Sequence, residues 1–161
     1  MEQRLVAAAG SGDISTVRKL LRKNVPTSTI DEYGRTALSF ACSGGHSEVV
    51  RILLEADADV NQKLGSNVTA LHIAAKNHHT TTVKHLVLGG AQLNAENFNK
   101  MTPIGLCQYD SDTWNIIRKA SRGHMPVIEI ESEVPYIPTY SLPDAATEKK
   151  KSGKKGKKGK K

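Results

Sequence analysis

The sequence predicts an all-α solenoid of about four helix–turn–helix units, each 33 residues long, followed by a disordered basic tail. Three observations predict it. Columns of like residues recur at a spacing of 33 without gaps. Within each period, apolar residues fall at helical spacing in two short segments. Between periods, Gly, Asn and Asp cluster where a chain must turn.

The columns fix the units. Thr36, Thr69 and Thr102 fall in register, as do Leu5, Leu38, Leu71 and Ile104. Ala8, Ala41, Ala74 and Cys107 share a column, and Val17, Val50, Val83 and Ile116 share another. The pair Leu20-Leu21 returns as Leu53-Leu54 and as Leu86-Val87. So many columns at one spacing define a repeat rather than a generic amphipathic helix. The units run over approximately 1–30, 31–63, 64–96 and 97–123.

Each unit reads as two helices. The first lies near 37–44 and 70–77, and the second near 47–56, 80–88 and 113–121. The column Asp13, His46, His79, Asp112 precedes each second helix, where a carboxylate can accept from a free backbone N–H. Asn24, Asp57 and Gly90 follow it, and such residues tolerate the left-handed conformation that stops a helix. In the turn column Gly34, Asn67, Lys100, the lysine fits worst, which predicts an irregular last hairpin.

Thr69-Ala70-Leu71-His72-Ile73-Ala74-Ala75 is similar to the T-P-L-H-x-A-A motif of the ankyrin repeat. Gly34-Arg35-Thr36-Ala37-Leu38-Ser39, Gly44-Gly45-His46-Ser47-Glu48-Val49-Val50, Ala58-Asp59-Val60-Asn61 and Thr102-Pro103-Ile104 extend the likeness over residues 3–122. The first unit lacks the motif, and the fourth has Gly105 in place of His and Cys107-Gln108 in place of the Ala pair. Units two and three therefore read as internal and units one and four as caps.

The resemblance implies a protein-binding surface on the concave face, lined by turn tips and first helices. By position within the repeat, its candidates are Glu32, Tyr33 and Arg35 on one tip, then Ser66 and Val68, then Phe98, Asn99 and Met101. The ends of the first helices add Ser43, Lys76, Asn77, Tyr109 and Asp110. Aromatics, Met and Arg are enriched at interfaces, which favours Tyr33 and Phe98 above the rest.

Nothing points to catalysis, a cofactor or a metal. His72 occupies the family's structural His position, His79 stands at a helix entry, and His78 and His85 read as solvent-facing. No carboxylate or thiolate completes a tetrahedral set with them. Cys42 and Cys107 fall in alanine columns and read as small buried hydrophobes. Two cysteines give no disulfide framework, which suits a reducing compartment, cytoplasmic or nuclear. The start of the chain reads as neither a secretory signal nor a myristoylation site, and its end carries no prenylation cysteine.

Charge is unevenly distributed. Residues 149–161 hold nine lysines and no acid: Lys149, Lys150, Lys151, Lys154, Lys155, Lys157, Lys158, Lys160 and Lys161. The other 148 residues hold 14 Lys+Arg against 16 Asp+Glu, a net of −2. Such a tail predicts disorder and suits anionic partners: nucleic acid, anionic lipid, an acidic protein or a nuclear import receptor. Residues 124–148 carry four of the six prolines and read as an extended segment. Val127, Ile128 and Ile130 are expected to dock on the last repeat, with a linker from about Glu133 that includes a minimal P-x-x-P at Pro135–Pro138.

Two readings of function follow. In one, a monomeric adaptor or regulator binds a protein partner on its concave face. In the other, the tail is the principal binder, and it acts on nucleic acid, anionic membrane or acidic protein surfaces.

Overall fold

The computed structural model describes residues 2–128. The tail, Ile130, and the P-x-x-P motif lie outside the described residues. Among the described residues eight helices pair into four units: α1 (Glu2–Ser11) with α2 (Ile14–Leu21), α3 (Ala37–Gly44) with α4 (Ser47–Glu55), α5 (Ala70–Lys76) with α6 (Thr80–Leu88), and α7 (Pro103–Leu106) with α8 (Asp112–Ser121). First helices stack on first helices, α1 on α3 on α5 on α7, and second helices stack likewise. The only β-bridge among the described residues is an isolated one between Ile30 and Thr36.

The columns explain the stack. Leu5, Leu38 and Leu71, Ala8, Ala41 and Ala74, Val17, Val50 and Val83, and Leu20, Leu53 and Leu86 are all buried in one core. Burying a leucine fully contributes about 1.5–3 kcal/mol, and a lone two-helix unit has no neighbour to bury its leucines against. Cys42 sits in that core with no exposure, and burial pushes its thiol pKa upward.

Local chemistry sets the helix ends. Thr36 Oγ1 accepts from the Ser39 N–H at 3.2 Å, and Asp13 Oδ1 accepts from the Thr16 N–H at 3.1 Å. The Thr16 hydroxyl, then the Ser15 hydroxyl, hold the Asp13 carboxyl down at about 2. Before α8 the cap is Ser111, whose Oγ accepts from the Trp114 N–H at 3.2 Å; Asp112 is already inside the helix. Asn24, Asp57 and Gly90 all take positive φ after the second helices, as their column predicts.

Unit four departs from the others. Gly105 weakens α7, which ends at Leu106, and Cys107 is extended. Cys107 is half-buried rather than buried, with its pKa pushed up to about 11 by the burial it keeps. The buried stripe of α8 is Thr113, Ile117 and Ala120, so Ile116 is only half-buried, and the stripe is displaced by one residue from the column that predicts it. Beyond Gly123, Val127 is 75% exposed on a hollow it shares with Lys84, Ile116 and Lys119, while Ile128 is half-buried.

Two further expectations are corrected. His85 is buried, not solvent-facing: it shares a column with the buried Ile52, and its charge environment comes from Glu48, Arg51 and Glu55, all on α4. The hairpin at Lys100 is regular. The Asn97 Oδ1 accepts from the N–H groups of Asn99 (2.9 Å) and Met101 (3.0 Å), as the Asp31 Oδ1 does for Tyr33 (2.9 Å) and Arg35 (2.8 Å). The different hairpin is the one between them, where Leu64 has no side-chain acceptor and both Ser66 and Asn67 adopt positive φ.

Candidate partner-binding groove

The 33-residue period brings three columns onto one face. Arg35, Val68 and Met101 follow the three hairpin turns; Phe40, Ile73 and Leu106 lie on the first helices; Ser43 and Lys76 lie near the ends of those helices. Together with Ser39, His72, Asn77, Asn97 and Asn99 they line a groove of about 450 Å³ across units two to four.

Two devices hold the groove in shape. At its far wall, His72 Nδ1 accepts from the Thr69 N–H at 3.2 Å, which leaves the proton on Nε2. Nε2 then donates to the Met101 carbonyl at 3.0 Å, tying the tip of unit four to the helix of unit three. The equivalent residue in unit two is Ser39, which bonds only to its own Thr36 and cannot reach the next tip. At the near wall, the Arg35 guanidinium lies 4.8 Å from the Tyr33 ring centre and 4.2 Å from that of Phe40. Cation–aromatic contact of this kind stiffens the tip. Asp31 anchors the stack through a 2.8 Å ion pair to Arg35. Burial alone would raise the Asp31 pKa, but the Arg35 backbone N–H, its guanidinium and the Tyr33 N–H outweigh it and hold the carboxyl below its ordinary value.

Of the candidates read from the sequence, Arg35, Ser43, Val68, Lys76, Asn77, Asn99 and Met101 line this groove. Tyr33, 75% exposed, lines a neighbouring hollow of about 480 Å³ with Val6, Ala7, Asp31, Glu32 and Phe40. The others lie elsewhere. Phe98 is exposed at its tip, where its N–H donates to the Ser66 carbonyl at 3.1 Å. Tyr109 packs on Trp114 with ring centres 4.8 Å apart, and Asp110 accepts from Asn115, because the chain leaves α7 early.

Sequence reasoning missed Phe40, Ile73 and Leu106, which with Ala7 form an apolar lane along the first helices. The signal is present: the column repeats at 33 and sits two residues from the buried Leu5, Leu38 and Leu71, off the core stripe.

The histidines serve the stack. His46 Nε2 lies 3.0 Å from the Gly10 carbonyl, and His79 Nε2 lies 3.1 Å from the Ser43 carbonyl, each reaching back one unit. On the opposite side, Asn61 joins units two and three: its side-chain N–H donates to Gly90 and its oxygen accepts from the Gln92 N–H at 2.7 Å.

A family model described as ankyrin repeats in three copies matches residues 5–97. Inversin from Gallus gallus is 35% identical over 101 residues, which is 62% of this chain and 9% of that protein. A probable E3 ubiquitin-protein ligase, XBOS32, from Oryza sativa subsp. japonica is 32% identical over 98 residues, 60% of this chain and 20% of the ligase. E3 ubiquitin-protein ligase XBAT33 from Arabidopsis thaliana is 38% identical over 88 residues, 53% of this chain and 17% of that protein. The chain thus spans a fifth or less of the length of these relatives. The matched model, the 33-residue columns and the stacked helix pairs agree: this chain belongs to the ankyrin-repeat family, whose arrays are protein–protein interaction modules.

Proposed function

We propose that the protein is a non-catalytic adaptor or regulator of the cytoplasm or nucleus, a monomer that binds a segment of one protein partner along its concave face. The observation that carries this reading is the groove across units two to four. It has an apolar lane, Phe40–Ile73–Leu106, flanked by Arg35, Lys76 and side-chain amides. That is the composition of a specific binding site, an apolar floor with a few placed polar groups. The polylysine tail supports a second contribution, a diffuse attraction of the complex to anionic surfaces.

The test compares three proteins in quantitative partner capture: the full chain, its Val68→Ser/Met101→Ser variant, and residues 1–148. The reading expects the groove variant to lose the main partner with its helical circular dichroism unchanged, and residues 1–148 to keep it. Loss of the partner on removing the tail, with the groove variant unaffected, would instead make the tail the principal binder.

A further inference from the structure

The groove's charges identify the class of segment it accepts. Among its lining residues the fixed charges are Arg35 and Lys76, both cationic, and no Asp or Glu lines it. Arg35 is committed to Asp31. Lys76 is exposed and makes no ion pair among the described residues. The hollow on the other side of Phe40 is the reverse: its charged lining residues are Asp31 and Glu32. Phe40 therefore separates an acidic hollow, between the first helix of unit one and the tip of unit two, from a basic groove across units two to four.

We propose that the groove takes an extended, acidic segment of a partner protein, with an apolar side chain on the Ile73–Leu106 lane and a carboxylate on Lys76. This rests on the concave face being the binding surface. The spacing follows from geometry. Ile73 and Lys76 are three apart on α5 and so lie on one face, about 5–6 Å apart at Cβ. In an extended peptide, side chains two residues apart share a face and lie about 7 Å apart. The segment thus places its acid two residues from its apolar anchor. Where it continues past Phe40 toward Glu32, it carries no acid, because like charges brought together there would repel.

The probes are four fluorescein-labelled dodecapeptides on a Ser/Gly background. They carry Leu and Glu two residues apart, Leu and Glu adjacent, Leu and Lys two apart, and Ser and Glu two apart. Each is titrated by anisotropy at physiological salt against the full chain and against full-length Lys76→Glu and Val68→Ser/Met101→Ser. All three proteins keep the polylysine tail, so its attraction for acidic peptides is common to them and cancels in the comparison. The proposal expects the peptide with Leu and Glu two apart to bind the wild type most tightly. It should weaken about fivefold or more on Lys76→Glu, a change from attraction to repulsion, while the Leu/Lys peptide gains. Affinities that follow peptide charge alone and ignore Lys76→Glu overturn the proposal, as does an absence of binding by all four. Equal binding of the two Leu peptides with the wider spacing, lost on Val68→Ser/Met101→Ser, overturns the acidic preference while the concave reading stands. Binding that neither variant alters overturns both.

Discussion

The interface between units two and three and the interface between units three and four are built from the same columns and differ in what they tolerate. In the first, the His79 ring lies against Gly45, whose φ is +72°, and a Cβ placed there would come within 2.6 Å of His79 Nδ1. The His46 ring and Gly12 repeat this arrangement one unit earlier. In the second, position 112 is aspartate and brings no ring, so the equivalent of Gly45 can be His78, at a φ of +59°. A Thr80–Thr113 hydroxyl contact at 3.2 Å stands at this junction instead. The first helix also shrinks from α5, Ala70–Lys76, to α7, Pro103–Leu106. The difference shows a strict interior and a permissive end, with His72 carrying order outward to the Met101 tip.

The largest test of this contrast is truncation of the core. Leu53→Ala or Leu86→Ala, each fully buried, should cost about 2–5 kcal/mol, a large share of the roughly 5–15 kcal/mol of a typical domain. The half-buried Ile116→Ala should cost clearly less. Urea midpoints compare them, and equal losses would remove the distinction between interior and end.

A smaller effect separates the two turn positions directly. Gly45→Ala forces an L side chain into the left-handed region, at about 1–2 kcal/mol, and drives its Cβ into the His79 ring. His78→Ala keeps a Cβ where one already sits and removes only an exposed ring, so it should fall within about 0.5 kcal/mol of wild type. Thermal unfolding of the two variants checks the contrast.

His85 supplies a pH-dependent version of the same comparison. Burial, chiefly, lowers its pKa; Glu48 and, less strongly, Glu55 pull it back up, while Arg51 lowers it further. The folded state therefore binds a proton less readily than the unfolded one. Its contribution is fully present above the unfolded value of about 6.5 and is lost as pH falls below it. His85→Gln should flatten the fall in urea midpoint between about pH 7 and 5.

The smallest expected effect lies at the tips. Asp31→Asn keeps an acceptor for the Tyr33 and Arg35 N–H groups, as Asn97 does naturally, and loses only the ionic part of the Arg35 contact. Its urea midpoint should barely move. Asp31→Ala, which loses both N–H bonds, should move it measurably.

Much of this architecture is legible in the sequence because stacking forces like residues into like columns. Thr36, Leu38, Ala41 and Val50 announce the units, and the second-helix stops at Asn24, Asp57 and Gly90 follow from backbone sterics alone. What is hidden are features set by a neighbouring unit. His85 lies in a column of Lys19, Ile52 and Arg118, where Ile52 alone hints at burial. The regular turn at Lys100 depends on a side chain three residues earlier, Asn97. Phe40, Ile73 and Leu106 look like core residues of apolar helices, and only the helical wheel turns them toward the groove. The early end of α7, with Cys107 already extended just after Gly105 and Leu106, takes Tyr109 and Asp110 away from the site where repeat position alone would put them.

Native-state hydrogen exchange on the full chain tests the central claim, that units two and three carry the stability and hold the groove, most directly. The account predicts the slowest exchange in α3 to α6, fast exchange in α7, and a Met101 amide protected beyond its neighbours in unit four because Asn97 accepts from it while His72 fixes its carbonyl. Slowest exchange in α7 and α8, or a Met101 amide as labile as that of Gly105, would contradict it.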